Sequence, residues 1–377
     1  MQNDQLNIFL YNWWRSIDRK IFITALILFL IGCLISFIAT PSIAIKYNLD
    51  PYHFVKKHYF FFPFAFFFIF FISLFSKIGI KRFFVFIFFL STFFIFYSFF
   101  TGIESKGSIR WVSFFGYSFQ PSEFLKVSFI IITAAILSSK NYFKTINNQV
   151  FSFFTYLLVS SLILYQPDFS MFVIISFVYF GQLFVSGLKW KWVVAAGSFF
   201  SFIVLSAYNL LNNVKIRIDN FLDPSKGDNY QITKSLQAIK EGGFLGKGPG
   251  LGTVKDNLPD AHTDFIFSVI AEEFGLISCI FIIVFFVYLI FNICKRIKTE
   301  KNLFSILVIS GLVLQLGSQI FVNIGSSVGI IPTTGATLPF ISYGGSSMIS
   351  MALNIGVILA LTRVSYKDSI VSDEKEF

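Results

Sequence analysis

Tyr59-Phe-Phe-Phe-Pro63-Phe-Ala-Phe-Phe-Phe-Ile69-Phe-Phe-Ile-Ser-Leu-Phe-Ser76 decides the class of fold. The stretch carries no charge and is mostly phenylalanine, a composition that would read as strand in water. Its length arbitrates, because crossing a ~30 Å hydrocarbon layer takes about 20 apolar residues of helix. Nine more such runs lie along the chain: Ile21–Thr40, Phe83–Phe100, Ser122–Ser139, Val150–Gln166, Asp168–Gly187, Trp192–Leu211, Phe265–Ile293, Leu303–Gly325 and Ser346–Thr362. The Phe265–Ile293 run exceeds one bilayer and calls for tilt or protrusion.

Composition agrees with this solvent. Of 377 residues, 55% are hydrophobic, 20% aromatic and 13% charged, whereas soluble domains carry about 25% charged residues. Fifty-five phenylalanines exceed what one water-soluble core hides. This excludes a soluble enzyme, a disordered chain and a nucleic-acid binder. The expectation is an all-α polytopic membrane protein, a single domain over residues 1–377. It has about ten transmembrane helices and a long extracytoplasmic loop, residues 212–264, between the seventh and eighth.

The net charge of +10 reads as topology. With the N-terminal segment 1–20 and the tail 363–377 both cytoplasmic, the inner segments hold 17 Lys and Arg and the short outer loops hold five. That asymmetry fits the preference of basic residues for the cytoplasmic side and sets the orientation. Ser42-Ile43-Ala44 is a weak match to a signal-processing site, but the apolar run before it is too long for a cleaved signal, so the first span is read as retained. Cys33, Cys279 and Cys294 sit in or beside apolar runs and read as packing residues.

On this map the polarity not needed for topology collects on the outer side. Gln120-Pro-Ser-Glu123-Phe-Leu-Lys126 leads into the fourth span, with Pro121 suited to a first helical turn and Glu123 and Lys126 sharing a face at i,i+3. A local ion pair and a functional pair facing a wet cavity are both open readings. Asp168, after Gln166-Pro167, reads as a helix N-cap or as a site residue. Glu272 and Glu273 lie some two turns into the eighth span, where at least one needs a cationic or hydrogen-bonding partner.

In the long loop, Tyr230–Ile239 has the pattern of a helix lying on the membrane surface. The stretch Gly242-Gly-Phe-Leu-Gly246-Lys247-Gly-Pro-Gly-Leu-Gly252 lacks the spacing and the Ser or Thr of a Walker loop, which leaves a backbone nest beside a pyrophosphate or a plain hinge. His262-Thr263-Asp264 stands at the mouth of the eighth span, either as a cap or as proton-handling chemistry. The last outer loop, Gly329–Ser347, is uncharged and suits irregular backbone buried in a polar cavity.

Together these stretches resemble the SEDS family of polytopic cell-wall glycosyltransferases, whose types include FtsW, RodA and SpoVE. The resemblance runs in order from Phe54-Val-Lys56-Lys57 to Ser347. It takes in Arg110-Trp111, Gln120-Pro-Ser-Glu123 with Lys126, Gln166-Pro-Asp168-Phe, Tyr230-Gln, Leu258-Pro with His262-Thr-Asp264-Phe-Ile-Phe, Glu272-Glu273 and Leu338-Pro-Phe-Ile-Ser342-Tyr343-Gly-Gly-Ser-Ser347. Ala261 before His262 and Thr337-Leu-Pro339 follow the division type (FtsW) more than the elongation type (RodA). Thr334, where many division-type sequences carry lysine, and Asp260 and Asp256, which stand in place of glutamates, depart from the pattern.

The resemblance implies an enzyme that polymerises lipid II, the undecaprenyl-pyrophosphate-linked disaccharide-pentapeptide, outside the bacterial cytoplasmic membrane for septal synthesis in cell division. It makes Asp264 the catalytic residue. The substrate-binding candidates are Arg110, Gln120, Glu123, Lys126, Arg217, Lys247, His262, Thr263, Ser342 and Tyr343, with Asp168, Glu272 and Glu273 in support. No organic cofactor is expected; a divalent cation, Mg or Mn, is the candidate assistant, with no dedicated cage in the sequence. The implied partners are a class B penicillin-binding protein of FtsI type, other divisome proteins and membrane lipid, with no nucleic acid. A lipid II flippase or other secondary transporter, with Glu123, Lys126, Asp168 and Glu272 as its polar path, is the competing class, and a division scaffold the third.

Overall fold

The computed structural model describes residues 2–46, 48–101, 103–105, 108–114, 117–139, 147–210, 212–222 and 229–363. Among these the order is α1 (Gln2–Ser16), α2 (Arg19–Ala39), α3 (Pro41–Lys46), α4 (His53–Ser73), α5 (Lys77–Thr101), β1 (Ile103–Ser105), β2 (Ser108–Phe114), β3 (Tyr117–Phe119), α6 (Pro121–Ser138), α7 (Asn148–Tyr165), α8 (Phe169–Val185), α9 (Trp190–Leu210), α10 (Asn212–Leu222), α11 (Tyr230–Gly242), a 3-10 turn at Lys255–Asn257, α12 (Ile266–Thr299), α13 (Leu303–Ser327) and α14 (Gly345–Leu361). Each of the ten apolar runs coincides with a helix, and seven of these helices are long and apolar enough to cross a membrane by length and composition. The chain is a polytopic helical membrane protein.

Helix ends follow local chemistry. Asp18 caps α2 by accepting from the N–H groups of Lys20 (3.0 Å) and Ile21 (3.4 Å). The same carboxylate meets Arg296 Nε at 2.5 Å, tying the start of α2 to the end of α12. Pro121 occupies the first turn of α6, where a missing N–H costs nothing. α14 is buried almost all round and stands at the centre, packed on α4, α6, α13 and α2, which is why its apolar residues form no stripe.

Three features depart from expectation. The segment before α6 forms a small antiparallel sheet in the order β1-β2-β3, with Glu104 opposite Ile109 and Val112 opposite Phe119. Second, the face of α11 that packs on the protein is built of small residues. Its buried residues are Ser235, Ala238 and Gly242, which press on α12, and Ser235 Oγ meets Ser268 Oγ at 2.5 Å and Ser327 O at 2.6 Å. Small residues win because they let helix backbones approach closely.

Third, the overlong eighth span is broken rather than only tilted. Gly275 adopts φ 77°, ψ −179° inside α12, and the glycine-rich loop supplies the missing backbone partners. Lys247 N–H donates to Glu272 O and Gly248 N–H to Glu273 O, each at 2.9 Å, and Leu276 N–H donates to Gly243 O at 2.9 Å. A Cβ on Gly275 would lie 2.3 Å from Phe244 O, so both the positive φ and the inserted strand of backbone require glycine.

Candidate active site

The N-terminal ends of α6, α8 and α14, and the turn before α12, surround a polar cavity of about 310 Å³. Carboxylates from Glu123, Asp168, Asp260 and Asp264 line it with the cations Arg110 and Lys126, together with Gln120, His262, Thr263, Tyr343 and the strap Thr333–Thr337. The acid excess is partly offset by the helix N-termini, each worth roughly half a positive charge.

Asp264 is presented by a tight turn rather than used as a cap. Asp260 lies in the left-handed region at φ 56°, a conformation that Asp visits more readily than longer side chains. Its carbonyl accepts from Thr263 N–H (3.0 Å), Asp264 N–H (3.0 Å) and Phe265 N–H (3.3 Å). The N-cap position of α12 falls to Phe265, with no side-chain cap. An ideal Cβ on Gly335 would sit 3.9 Å from Asp264 Oδ2 and 4.0 Å from Arg110 Nη1, so carboxylate and guanidinium approach the same point of the strap.

Arg110, on β2, is held by the turn at residues 166–168 before α8. Its Nη2 donates to Pro167 O at 2.6 Å and its Nε to Gln166 O at 3.4 Å, while Nη1 lies 3.3 Å from Asp168 Oδ2. Asp168 also caps α8 through Met171 N–H (3.1 Å) and receives Gln120 Nε2 (3.5 Å), so its two readings coexist. Glu123 and Lys126 are both buried and paired at 2.8 Å, and Lys126 Nζ donates to Gln319 Oε1 at 3.0 Å. The His262 ring meets Phe54 (5.2 Å) and Tyr343 (5.4 Å), which also meet each other (5.3 Å), and Tyr343 N–H donates to His262 O. Burial pushes the Tyr343 phenol up to about 12.

Other expected site residues are elsewhere. Ser342 is a latch, accepting from Leu338 N–H (2.8 Å) and donating to Thr263 O (2.6 Å). Lys247 does not line the cavity. It pairs with Glu241 and lies 3.7 Å from Glu272, and the Glu241 contact holds the ammonium above, and the carboxyl below, their ordinary pKa ranges. Arg217 falls on α10, and its side chain lies outside the described residues.

The glycine-rich loop is indeed a nest of N–H groups, but the protein's own carboxylates fill it. Glu272 accepts from Thr253 N–H (2.7 Å), Val254 N–H (2.7 Å) and Lys255 N–H (2.9 Å). Glu273 accepts from Gly250 N–H, Gly252 N–H (3.2 Å) and Lys255 Nζ (2.5 Å). Both carboxylates thus have the partners their depth demands, and this nest is not left for a pyrophosphate.

Sequence reading passed over Gln319 and Asn323, two buried amides that bind the strap. Their signal was present, as polar amides one turn apart in an apolar span rarely lack a partner. Thr334 lines both this cavity and a second, apolar one of about 1060 Å³, which includes Phe169, Phe177, Phe180, Leu314 and Phe321. Arg110, Ser170, Ile174 and Thr333 are also common to the two, so the polar and apolar cavities lie side by side. Among the described residues no three His, Cys, Asp or Glu side chains converge as a metal cage.

Residues 18–367 match a family described as cell cycle protein, which spans FtsW, RodA and SpoVE. The chain is 34% identical over 352 residues to the probable peptidoglycan glycosyltransferase FtsW of Caulobacter vibrioides, covering 93% of this chain and 90% of that one. It is 38% identical over 282 residues to the protein of the same name from Coxiella burnetii, covering 71% and 73%. Its fold is similar to a chain of a peptidoglycan synthase complex that coordinates polymerization and crosslinking, with TM-score 0.76, 23% identity and coverage of 92% and 97%. It is also similar to the rod shape determining protein RodA of Thermus thermophilus, with TM-score 0.69, 22% identity and coverage of 93% and 97%.

Proposed function

The chain belongs to the FtsW/RodA/SpoVE family, and from that premise we propose that it is a division-type peptidoglycan glycosyltransferase polymerising lipid II. The observation that carries the reading is the adjacency of a carboxylate-lined polar cavity and a large apolar one, which share lining residues. A donor with a sugar head, a diphosphate and a long isoprenoid tail has the same two-part chemistry.

Asp264 is the general base. Its carboxylate takes the proton of the acceptor GlcNAc 4-hydroxyl as that oxygen attacks C1 of the donor MurNAc. The C1–O bond breaks with inversion, and the electron pair leaves on undecaprenyl pyrophosphate. A base must lie within hydrogen-bond reach of the hydroxyl, and the turn at Asp260 holds Asp264 at the cavity wall. Arg110 and Lys126 are the cations on the leaving-group side, preorganised by their carbonyl, carboxylate and amide partners.

Four carboxylates against two cations also favour a divalent cation, Mg or Mn, arriving with the diphosphate. Bound there, it would neutralise charge on the leaving oxygens. Among the described residues no three carboxylates converge as a cage, so the diphosphate oxygens themselves would supply most of its ligands. The setting is the bacterial cytoplasmic membrane with both termini inside and the cavity on the outer face. The partner class is a single-span class B penicillin-binding protein that cross-links the strands.

Asp264→Asn in the purified chain should lower polymerisation of lipid II by about 10²–10⁴-fold with expression and folding retained. Glycan synthesis at the wild-type rate removes Asp264 as base. Precursor crossing of a bilayer without polymer, in the wild type, establishes the transporter instead.

A further inference from the structure

Asn323 and Gln319 lie one turn apart on α13 and are almost wholly buried. Asn323 Nδ2 donates to Asp264 O at 2.9 Å and to Ala336 O at 2.7 Å. Both partners are carbonyls, so the chemistry fixes which end of the amide faces them. Its Oδ1 has no partner among the described residues. A buried, half-satisfied amide is a poor choice for stability, since an apolar side chain would leave no acceptor desolvated. What it does achieve is to hold the peptide of Asp264 against the uncharged strap.

Gln319 does the corresponding work for the cation. Its Nε2 donates to Thr337 O (3.0 Å) and Thr337 Oγ1 (3.2 Å), while its Oε1 accepts from Lys126 Nζ (3.0 Å). An ammonium has three N–H donors. Among the described residues Gln319 accepts one of them and Glu123 lies 2.8 Å away as an ion pair, while Lys126 lines the cavity where an anionic oxygen would meet the remaining donor capacity.

We propose that Gln319 and Asn323 are positioning residues that use α13 as a rigid bar to fix the distance between the base, Asp264, and the diphosphate-side ammonium, Lys126. This rests on Asp264 acting as base. Spacing set along one helix face changes little when the strap or the substrate moves, and a misplacement of about 1 Å can cost about 10²-fold in rate.

The test is steady-state polymerisation by the purified full-length chain with lipid II, normalised to folded protein from a thermal melt. Asn323→Ala should lower kcat by about 10–100-fold with KM within a few-fold of wild type. Asn323→Asp keeps the shape and, as a buried neutral acid, donates one of the two bonds, so its kcat should fall between. Gln319→Met should chiefly raise KM. Wild-type kcat per folded molecule in Asn323→Ala, or in Asn323→Asp where the alanine variant does not purify folded, overturns the assignment. So does an equal loss of kcat in the Ala and Asp variants that tracks only their melting. Asp264→Asn assayed alongside separates the two failures. An active Asp264→Asn refutes the base, whereas an inactive one beside a fully active Asn323→Ala refutes only the bar.

Discussion

Glu272→Gln isolates the nest that closes the glycine-rich loop onto α12. The wild-type carboxylate takes two N–H groups on Oε1, from Thr253 and Val254, and one on Oε2, from Lys255. Glutamine keeps one acceptor and turns the other into a donor, so one of the three bonds becomes a donor facing a donor. A hydrogen bond to a charged group contributes about 1.5–3 kcal/mol and a neutral one about 0.5–1.5. Losing one and weakening two by about 1–1.5 kcal/mol each gives about 3.5–6 kcal/mol, close to the range for breaking a buried ion pair. At about 1.4 kcal/mol per decade, amides 253–255 should open on the order of 10²–10⁴-fold more often. Hydrogen exchange read by mass spectrometry on detergent-solubilised protein measures this directly. Glu241→Gln is the control. Among the described residues its solvent-exposed carboxylate contacts the side chains of Lys247 and Gln237 and none of the 253–255 amides, so exchange there should stay within a few-fold of wild type. Wild-type protection of those amides in Glu272→Gln would refute the idea that the carboxylate holds the loop.

Two further perturbations separate stability from chemistry. Lys126→Met leaves Glu123 as a buried unpaired charge and should cost about 3–5 kcal/mol of stability, whereas Glu123→Leu with Lys126→Met should recover most of it and still fail to polymerise lipid II. Recovery of activity in the pair, followed by the same assay, would remove Lys126 from substrate handling. Tyr343 gives a pH signature. Burial raises its phenol to about 12 from an ordinary value near 10, so the folded state holds that proton longer than the unfolded state. Its contribution is therefore complete below about pH 10 and is lost as pH climbs towards 12. Tyr343→Phe should melt with a flatter pH dependence than wild type above pH 10 and a parallel one below about pH 9. An identical alkaline decline in both proteins would mean the phenol is not buried in the folded state.

The helices were legible because lipid imposes one rule on every span, and a run such as Tyr59–Ser76 has no other way to satisfy its backbone. Local pairs were legible for the same reason of short range. Glu123 and Lys126 share a face at any packing of α6, and Asp168 follows a turn wherever α8 goes. What sequence spacing could not supply is which distant group completes each set. Glu272 finds its donors 17–19 residues away, and the partner of Asn323 is a carbonyl 59 residues back. Main-chain partners leave no trace in side-chain chemistry, so the glycine-rich loop read equally as a phosphate nest or a hinge. The structure assigns it to neither, because its N–H groups meet carboxylates that were themselves conspicuous for lacking partners. Two unexplained polar features in one apolar protein are therefore best first tested against each other. A buried carboxylate and a run of free amides are complementary before any ligand is invoked, as Glu272 and the N–H groups of residues 253–255 show.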